Sequence, residues 1–277
     1  MVTGGTATGG GVDYTLAAGT LTFDPGVTSD DVVISIVDDG DGESDETIEV
    51  TLSSPTGATL GINTIHTYTI NDNDEAPPIA HWDLDDGSGT TATDITGGGN
   101  DGVLVGGPTW VTGHIGQALS FDGIDDSVDV DNFNIPMSMD APKSMSAWMY
   151  IYTTYQSYNW CVVSFSDDNK KAEVRMKADG KVQAYGGAEL VAANNQPPAN
   201  DWVHMCYTFD GTTHRIYVNG VDEGSSTTAN DVGNCDMFRI GRVARFGQNP
   251  MDGMIDDVRV YDRELTPTEV QDLYNGN

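Results

Sequence analysis

The sequence predicts an all-β protein of two units, closed by one short helix. Three observations carry that reading. Val, Ile, Thr and Tyr recur in short runs broken by Gly, Asn, Asp and Pro, the pattern of many brief strands. Ile48, Val50 and Leu52 alternate with Thr47, Glu49 and Thr51, as in a strand with one face buried. Pro77 and Pro78 cannot donate to a ladder and push the residues before them toward extended backbone. One unit therefore spans 1–75, a join spans 76–78, and a second unit spans 79–277.

In the first unit, strands are expected at 14–16, 19–23, 31–37, 47–52 and 66–70. In the second they are expected at 79–84, 118–121, 127–130, 144–152, 161–165, 173–177, 203–209, 215–218, 238–240 and 255–261. That number of strands suits a two-sheet sandwich or jelly roll. Asp210-Gly211 and Asn219-Gly220 are hairpin signals. Thr266-Pro267-Thr268-Glu269 reads as a capping box with Pro at the first helical position. Val270, Leu273 and Tyr274 then share one face, which must dock on the sandwich for so short a helix to persist.

The charge is uneven. The net value is −31, from 43 acidic and 12 basic residues among 277. The first Lys is Lys143 and the first Arg is Arg175, so residues 1–142 set 25 acids against no side-chain base. Such a surface repels nucleic acid and anionic lipid, which excludes both as partners. It also suits a salty medium, and the clustering of acids at strand ends needs a further cause. No run of about eighteen apolar residues predicts a membrane span. No signal peptide is read, so a secreted protein is expected to contain this chain as a portion. Cys161, Cys206 and Cys235 match no zinc pattern, and Cys206 reads as a buried thiol.

The densest chemistry lies in residues 37–47, where Asp38, Asp39, Asp41, Glu43, Asp45 and Glu46 crowd nine positions. Either these carboxylates splay into water or a hard cation takes them up. Calcium accepts six to eight oxygens in flexible geometry, whereas transition metals favour His or Cys, absent from this loop. Asp13, Asp72 and Asp74 add acids at other strand ends.

The runs GTATGGGVDY, GTLTFDPG, VDDGDGESDETIEVTL and YTINDND together resemble a Calx-beta domain over residues 4–74. The resemblance implies an immunoglobulin-like sandwich with calcium at one tip. Its ligands would correspond to Asp13, Asp38, Asp39, the Asp41 carbonyl, Glu43, Glu46, Asp72 and Asp74. Relative to the family the domain reads as truncated at its front, missing an opening strand and a ligating Glu. That leaves a sheet edge unpaired. Either the piece simply starts late, or a neighbouring chain donates a strand.

HWDLDDGSGTTATD, GHIGQALSFDGIDDSVDV, KSMSAWMYI, DWVHMCYTFDGTTHRIYVNG, FRIG and GMIDDVRVYDRELTPTEVQDLY resemble a laminin G-like module of the concanavalin A-like jelly-roll group, family 3 type, over 79–274. The expected fold is thus an immunoglobulin-like Calx-beta sandwich, then a concanavalin A-like jelly roll with one C-terminal helix. The resemblance implies glycan or protein binding and a structural calcium. Matching acids are Asp85, Asp94, Asp122, Asp125 and Asp256 or Asp257, although Asp before Gly is first a turn residue.

Trp82, Trp148 and Trp202 fall in strand patterns and read as core. Tyr152, Tyr155, Tyr158 and Trp160 fall in or beside a polar loop, where rings either stack on sugars or cap the sandwich edge. Arg239, Arg242, Arg245 and Phe246 form the one basic spot, suited to a carboxylate ligand or to the acidic first unit. The histidines at 66, 81, 114, 204 and 214 are isolated, and no HExxH or GxSxG motif occurs. The reading is a non-catalytic, calcium-dependent adhesion or glycan-binding pair from a large secreted or surface protein, bacterial and marine. A purely structural spacer and an accessory module of a polysaccharide-degrading enzyme stand as alternatives.

Overall fold

The computed structural model describes residues 2–17, 19–37, 45–71, 77–131, 133, 141–152, 158–166, 171–186, 188–228, 237–243 and 248–276. The chain divides into two compact units, Met1–Pro77 and Pro78–Asn277. Among the described residues no helix is long and apolar enough to cross a membrane.

The first unit contains β1 (Val2–Gly5), β2 (Tyr14–Thr15), β3 (Ser35–Ile36), β4 (Glu46–Thr51) and β5 (Ile65–Ile70). An antiparallel sheet runs β1-β4-β5, and β2 pairs with β3. The alternation in β4 does what its sequence implies: Ile48 and Val50 are buried and pack with Tyr14, flanked by Ala7, Leu16, Ile34 and Ile70. Leu52 lies past the strand end and is exposed, so the buried stripe is one residue shorter than the pattern suggested. Residues 19–23 form no strand: among the described residues no ladder partner lies beside them, and Phe23 faces water. The run at 31–37 contracts to β3.

The second unit contains β6 (Ala80–Trp82), β7 (Thr91–Ala92), β8 (Gly102–Val105), β9 (Thr109–Thr112), β10 (Gln117–Asp122), β11 (Ser127–Asp131), β12 (Lys143–Ile151) and β13 (Trp160–Ser166). It continues with β14 (Lys171–Met176), β15 (Val182–Tyr185), β16 (Glu189–Ala192), β17 (Asp201–Phe209), β18 (His214–Val218), β19 (Val221–Ser226), β20 (Met237–Ile240), β21 (Asp252–Tyr261) and the helix α1 (Pro267–Asn275). One sheet runs β19-β18-β17-β12-β21-β10-β9 with β6 beside β21; the other runs β16-β15-β14-β13-β20-β11-β8-β7.

Their facing sides share one core. Met145, Ala147, Met149 and Ile151 of β12 and Val203, Met205, Tyr207 and Phe209 of β17 join Trp82, Phe121, Trp160, Phe165 and Phe238 in it. The alternate residues point to the far side of the first sheet. There Cys206, Tyr217 and Tyr261 pack with Leu265, Val270 and Leu273, which is the docking the helix requires. Thr266 accepts from the Glu269 amide, Glu269 returns to the Thr266 amide, and Gly276 ends the helix left-handed. Asn219 and Gly220, both at positive φ, turn β18 into β19 as a primed turn demands.

In β21 the alternation is interrupted. Ile255 is core, Asp256 sits opposite Trp148, and Arg259 sits opposite Ser146, so an extra residue is accommodated on β21. Asp257 takes a left-handed φ of 49° there. The bulge lets two consecutive carboxylates avoid the core while Val258 re-enters it.

Candidate functional site

The acidic corner of the second unit lies where β10 turns into β11. Asp122 ends β10, and its Oδ1 accepts from the Ile124 amide at 2.8 Å, a local Asx turn. Its own amide donates to Asp126 Oδ2 at 2.9 Å. These bonds gather Asp122, Asp125 and Asp126, whose carboxylate oxygens lie within 4.8 Å of one another. Asp122 and Asp125 face solvent, whereas Asp126 is 4% exposed. Burial, then the charges of Asp122 and Asp125, push the Asp126 carboxyl up, although the Asp122 amide opposes them.

Two other chain segments close on this corner. Gly123, at φ 75°, donates to the Met251 carbonyl at 2.8 Å. A Cβ at Gly123 would stand 2.9 Å from the Asp252 Cβ and 3.4 Å from the Tyr158 hydroxyl, so both side chains lie against the turn. Asp252 pairs with Asp122 across the β10–β21 ladder. Tyr158 is 38% exposed. An oxygen-only set, partly exposed and mutually repelling, fits a hard cation such as calcium. Asp122, Asp125 and Asp126 are the residues that would hold it.

The other predicted acids of this unit stand apart from that cluster. Asp94 is buried, and its two oxygens accept from the amides of His81, Thr96 and Asn100 and from the Thr96 and Asn100 side chains. Burial works against its charge, but Thr96, the His81 amide and Asn100 outweigh it and hold the carboxyl below its ordinary range. Asp85 accepts from the Gln117 amide at 2.5 Å. Asp257 meets His81 Nε2 at 2.6 Å and Arg259 Nε at 3.1 Å. Asp256 is fully buried; its Oδ2 accepts from the amides of His114 and Ile115 at 2.8 and 3.0 Å, and its Oδ1 meets no hydrogen-bond partner at ordinary distance among the described residues. The expected assembly of first-strand, turn and last-strand acids thus separates into a turn cluster and several carboxylates that fasten backbone. Asp126, not singled out from the sequence, belongs to the cluster; the doubled Asp in GIDDS was the available signal.

In the first unit, Asp38, Asp39, Asp41, Glu43, Asp72 and Asp74 lie outside the described residues. Asp13 is buried, accepts from the Thr8 amide, and offers its carbonyl to the Val37 amide at 2.9 Å. Glu46 opens β4 opposite Ile70.

Of the predicted rings, Tyr152 is 45% exposed and meets Tyr150 edge-on at 5.3 Å. Tyr155, Arg245 and Phe246 lie outside the described residues, as does Cys235. Trp160 corrects the expectation of an exposed ring: it is the first residue of β13 and fully buried in the core. Trp82 and Trp148 are buried, while Trp202 is half-buried. The basic spot is engaged by acids of its own sheet and by the acidic corner. Arg239 pairs with Asp129 at 2.8 Å and Asp131 at 2.7 Å, and Arg242 donates to the Asp125 carbonyl at 3.0 Å.

A second polar group occupies the outward side of the other sheet, on β14 and β15. Arg175 donates to Glu173 at 2.9 Å and to Gln183 at 2.8 Å, and its guanidinium lies 3.9 Å from the Tyr185 ring centre. Asn249 donates to the other Glu173 oxygen at 3.2 Å.

Residues 122–271 match the family model described as the concanavalin A-like lectin/glucanases superfamily, and residues 2–74 match the Calx-beta domain. The first match takes in more than half of the chain. The chain belongs to the concanavalin A-like lectin/glucanases superfamily, in its laminin G-like branch, and carries a Calx-beta domain ahead of that module. No curated protein matches it significantly.

Among solved structures, it is similar to domain 4 of AbnA, an extracellular GH43 arabinanase of Geobacillus stearothermophilus, in complex with arabinotriose. The TM-score is 0.60 and the identity 23%, over 73% of this chain and 100% of that one. It is similar to the binding domain of Paraclostridial Mosquitocidal Protein 1, at TM-score 0.59 and 17% identity, over 72% of this chain and 52% of that one. A Trypanosoma rangeli sialidase mutant follows at TM-score 0.56 and 14% identity, over 73% of this chain and 34% of that one. At these identities the likeness is one of fold.

Proposed function

We propose that the chain is a non-catalytic, calcium-dependent glycan-binding and adhesion module pair, acting outside the cell or on its surface. The observation that carries this reading is the corner where Asp122, Asp125 and Asp126 meet the exposed Tyr158. Calcium there would neutralise the crowded carboxylates and offer open coordination positions to sugar hydroxyls. Tyr158 supplies an apolar face against which a sugar ring can stack. The complex of AbnA domain 4 with arabinotriose supports the same class of ligand on this fold. The Calx-beta domain supports a second calcium site, to which Asp13 and Glu46 would contribute. Cations at both sites would stiffen the two modules.

Calorimetry in calcium and in chelator tests the metal. A ligand bound only by the folded state at a hundredfold excess over its Kd stabilises by about 2.7 kcal/mol. The melting temperature is expected to rise with calcium and to rise less in Asp125→Asn. Tyr158→Ala should keep the calcium response and lose retention on a glycan array. Equal melting with calcium and with chelator defeats the metal assignment, and an array blank in millimolar calcium defeats the sugar assignment.

A further inference from the structure

The far side of the sheet that carries β12 is covered at one end and partly open at the other. At the covered end, Trp148 stacks with Tyr274 of α1 at 5.7 Å and with His114 at 3.6 Å. Farther along the chain, Met149 and Ile151 enter the core, so Tyr150 and Tyr152 point to the far side. Tyr150 stands opposite Trp202 on β17, and its ring meets Trp202 at 5.6 Å and Tyr152 at 5.3 Å, both edge-on. Tyr150 and Trp202 are half-buried, and Tyr152 is 45% exposed.

This row of rings leads to the acidic corner. Asp252 of β21 stands opposite Asp122, and two residues on, Met254 stands opposite Tyr150. Phe121 and Ile255 enter the core, so by alternation Asp122, Asp252 and Met254 share the far side with the rings. In the strand order β17-β12-β21-β10, Trp202 and Asp122 lie three spacings apart, about 14 Å. One sugar held at the corner does not reach Trp202, whereas a short chain of linked sugars does.

Shape and charge together select the occupant. The rings of Trp202 and Tyr152 both stand across that of Tyr150, so the row offers separate ring faces and edges rather than one flat apolar surface. The apolar faces of successive sugars settle against such rings. A protein partner calls for a broader apolar patch than a single row supplies. The row holds no Lys or Arg, and Asp201 and Asp252 flank it, so an anionic polymer is repelled. We propose that Tyr152, Tyr150 and Trp202 form subsites for a neutral oligosaccharide whose first residue sits at the acidic corner. This rests on the glycan reading of that corner, and it makes the ligand a stretch of sugar chain rather than a single sugar.

Calorimetric titration of the whole chain in millimolar calcium tests this, with neutral gluco-, manno-, xylo- and arabino-oligosaccharides of two to six residues. Affinity within one series is expected to climb with length by at least about tenfold, the worth of one well-made ring contact. Trp202→Ala should lower hexasaccharide affinity by about tenfold and flatten that climb. Tyr152→Ala, at an exposed position, should do the same and keeps the test open should Trp202→Ala unfold. A parent chain that binds none of the sugars defeats the corner reading and this one together. Equal affinity for two and six residues, or a hexasaccharide that neither variant weakens, confines the sugar to the corner and overturns this proposal alone. So would a parent dimer in sedimentation that Trp202→Ala splits, which would give the row of rings to a second copy.

Discussion

At pH 8, Asp256→Asn will be more stable than the parent chain, and the advantage will shrink to nothing as the pH falls toward 4. Asp256 is fully buried on β21. Burial raises its carboxyl to about 7; the Ile115 amide opposes the rise and Asp257 adds to it. A folded-state value above the unfolded one favours the protonated group. Its contribution is complete below the unfolded value near 3.8 and is lost as pH rises through about 7. Above that window the folded chain carries a buried charge, at a cost of up to about 4 kcal/mol. Asparagine keeps an oxygen for the His114 and Ile115 amides and never ionises. Urea denaturation of both proteins between pH 4.5 and 8, in chelator, measures the difference. A variant that is less stable at pH 8, and only when calcium is added, would instead make Asp256 a metal ligand.

Glu173→Ala should cost about 3–5 kcal/mol, because it strands a charge. Arg175 is 8% exposed, its guanidinium lies over Tyr185, and the Glu173 carboxylate answers it at 2.9 Å. The same change also removes the acceptor for Asn249. Replacing both members, Glu173→Leu with Arg175→Met, should recover most of the loss, since an apolar pair of similar volume replaces an ion pair at little cost. Denaturant unfolding of the single and double variants forms the cycle. A loss under about 1 kcal/mol for Glu173→Ala would show that Gln183 and Tyr185 suffice to hold the guanidinium.

Much of this architecture was legible in the chain. The alternation of Met145, Ala147, Met149 and Ile151 announces a central strand, and Thr266-Pro267-Thr268-Glu269 announces the helix, because both signals are local. Strands β1, β7, β8, β9, β15, β16 and β19 were not anticipated; each spans six residues or fewer, and its pairing partner more than its own pattern makes it a strand. Residues 19–23 show the converse, a strand-like pattern with no ladder partner among the described residues. Trp160 sits in a polar run, yet the register of β13 against β14 and the core behind it draw it inside. The candidate site was half legible. Asp122, Asp125 and Asp126 share one local turn, but its meeting with Asp252 and Tyr158 depends on contacts distant in sequence. The bulge that turns both Asp256 and Asp257 away from the core leaves no trace in composition.

The thiol beneath the C-terminal helix gives this protein a built-in reporter. Cys206 is wholly enclosed with Val270 and Leu273, and burial lifts its ionisation far above the ordinary thiol range. While α1 stays seated, an alkylating reagent meets neither an accessible sulfur nor a thiolate there. The labelling rate at that one atom therefore clocks how often the last nine helical residues lift from the sheet.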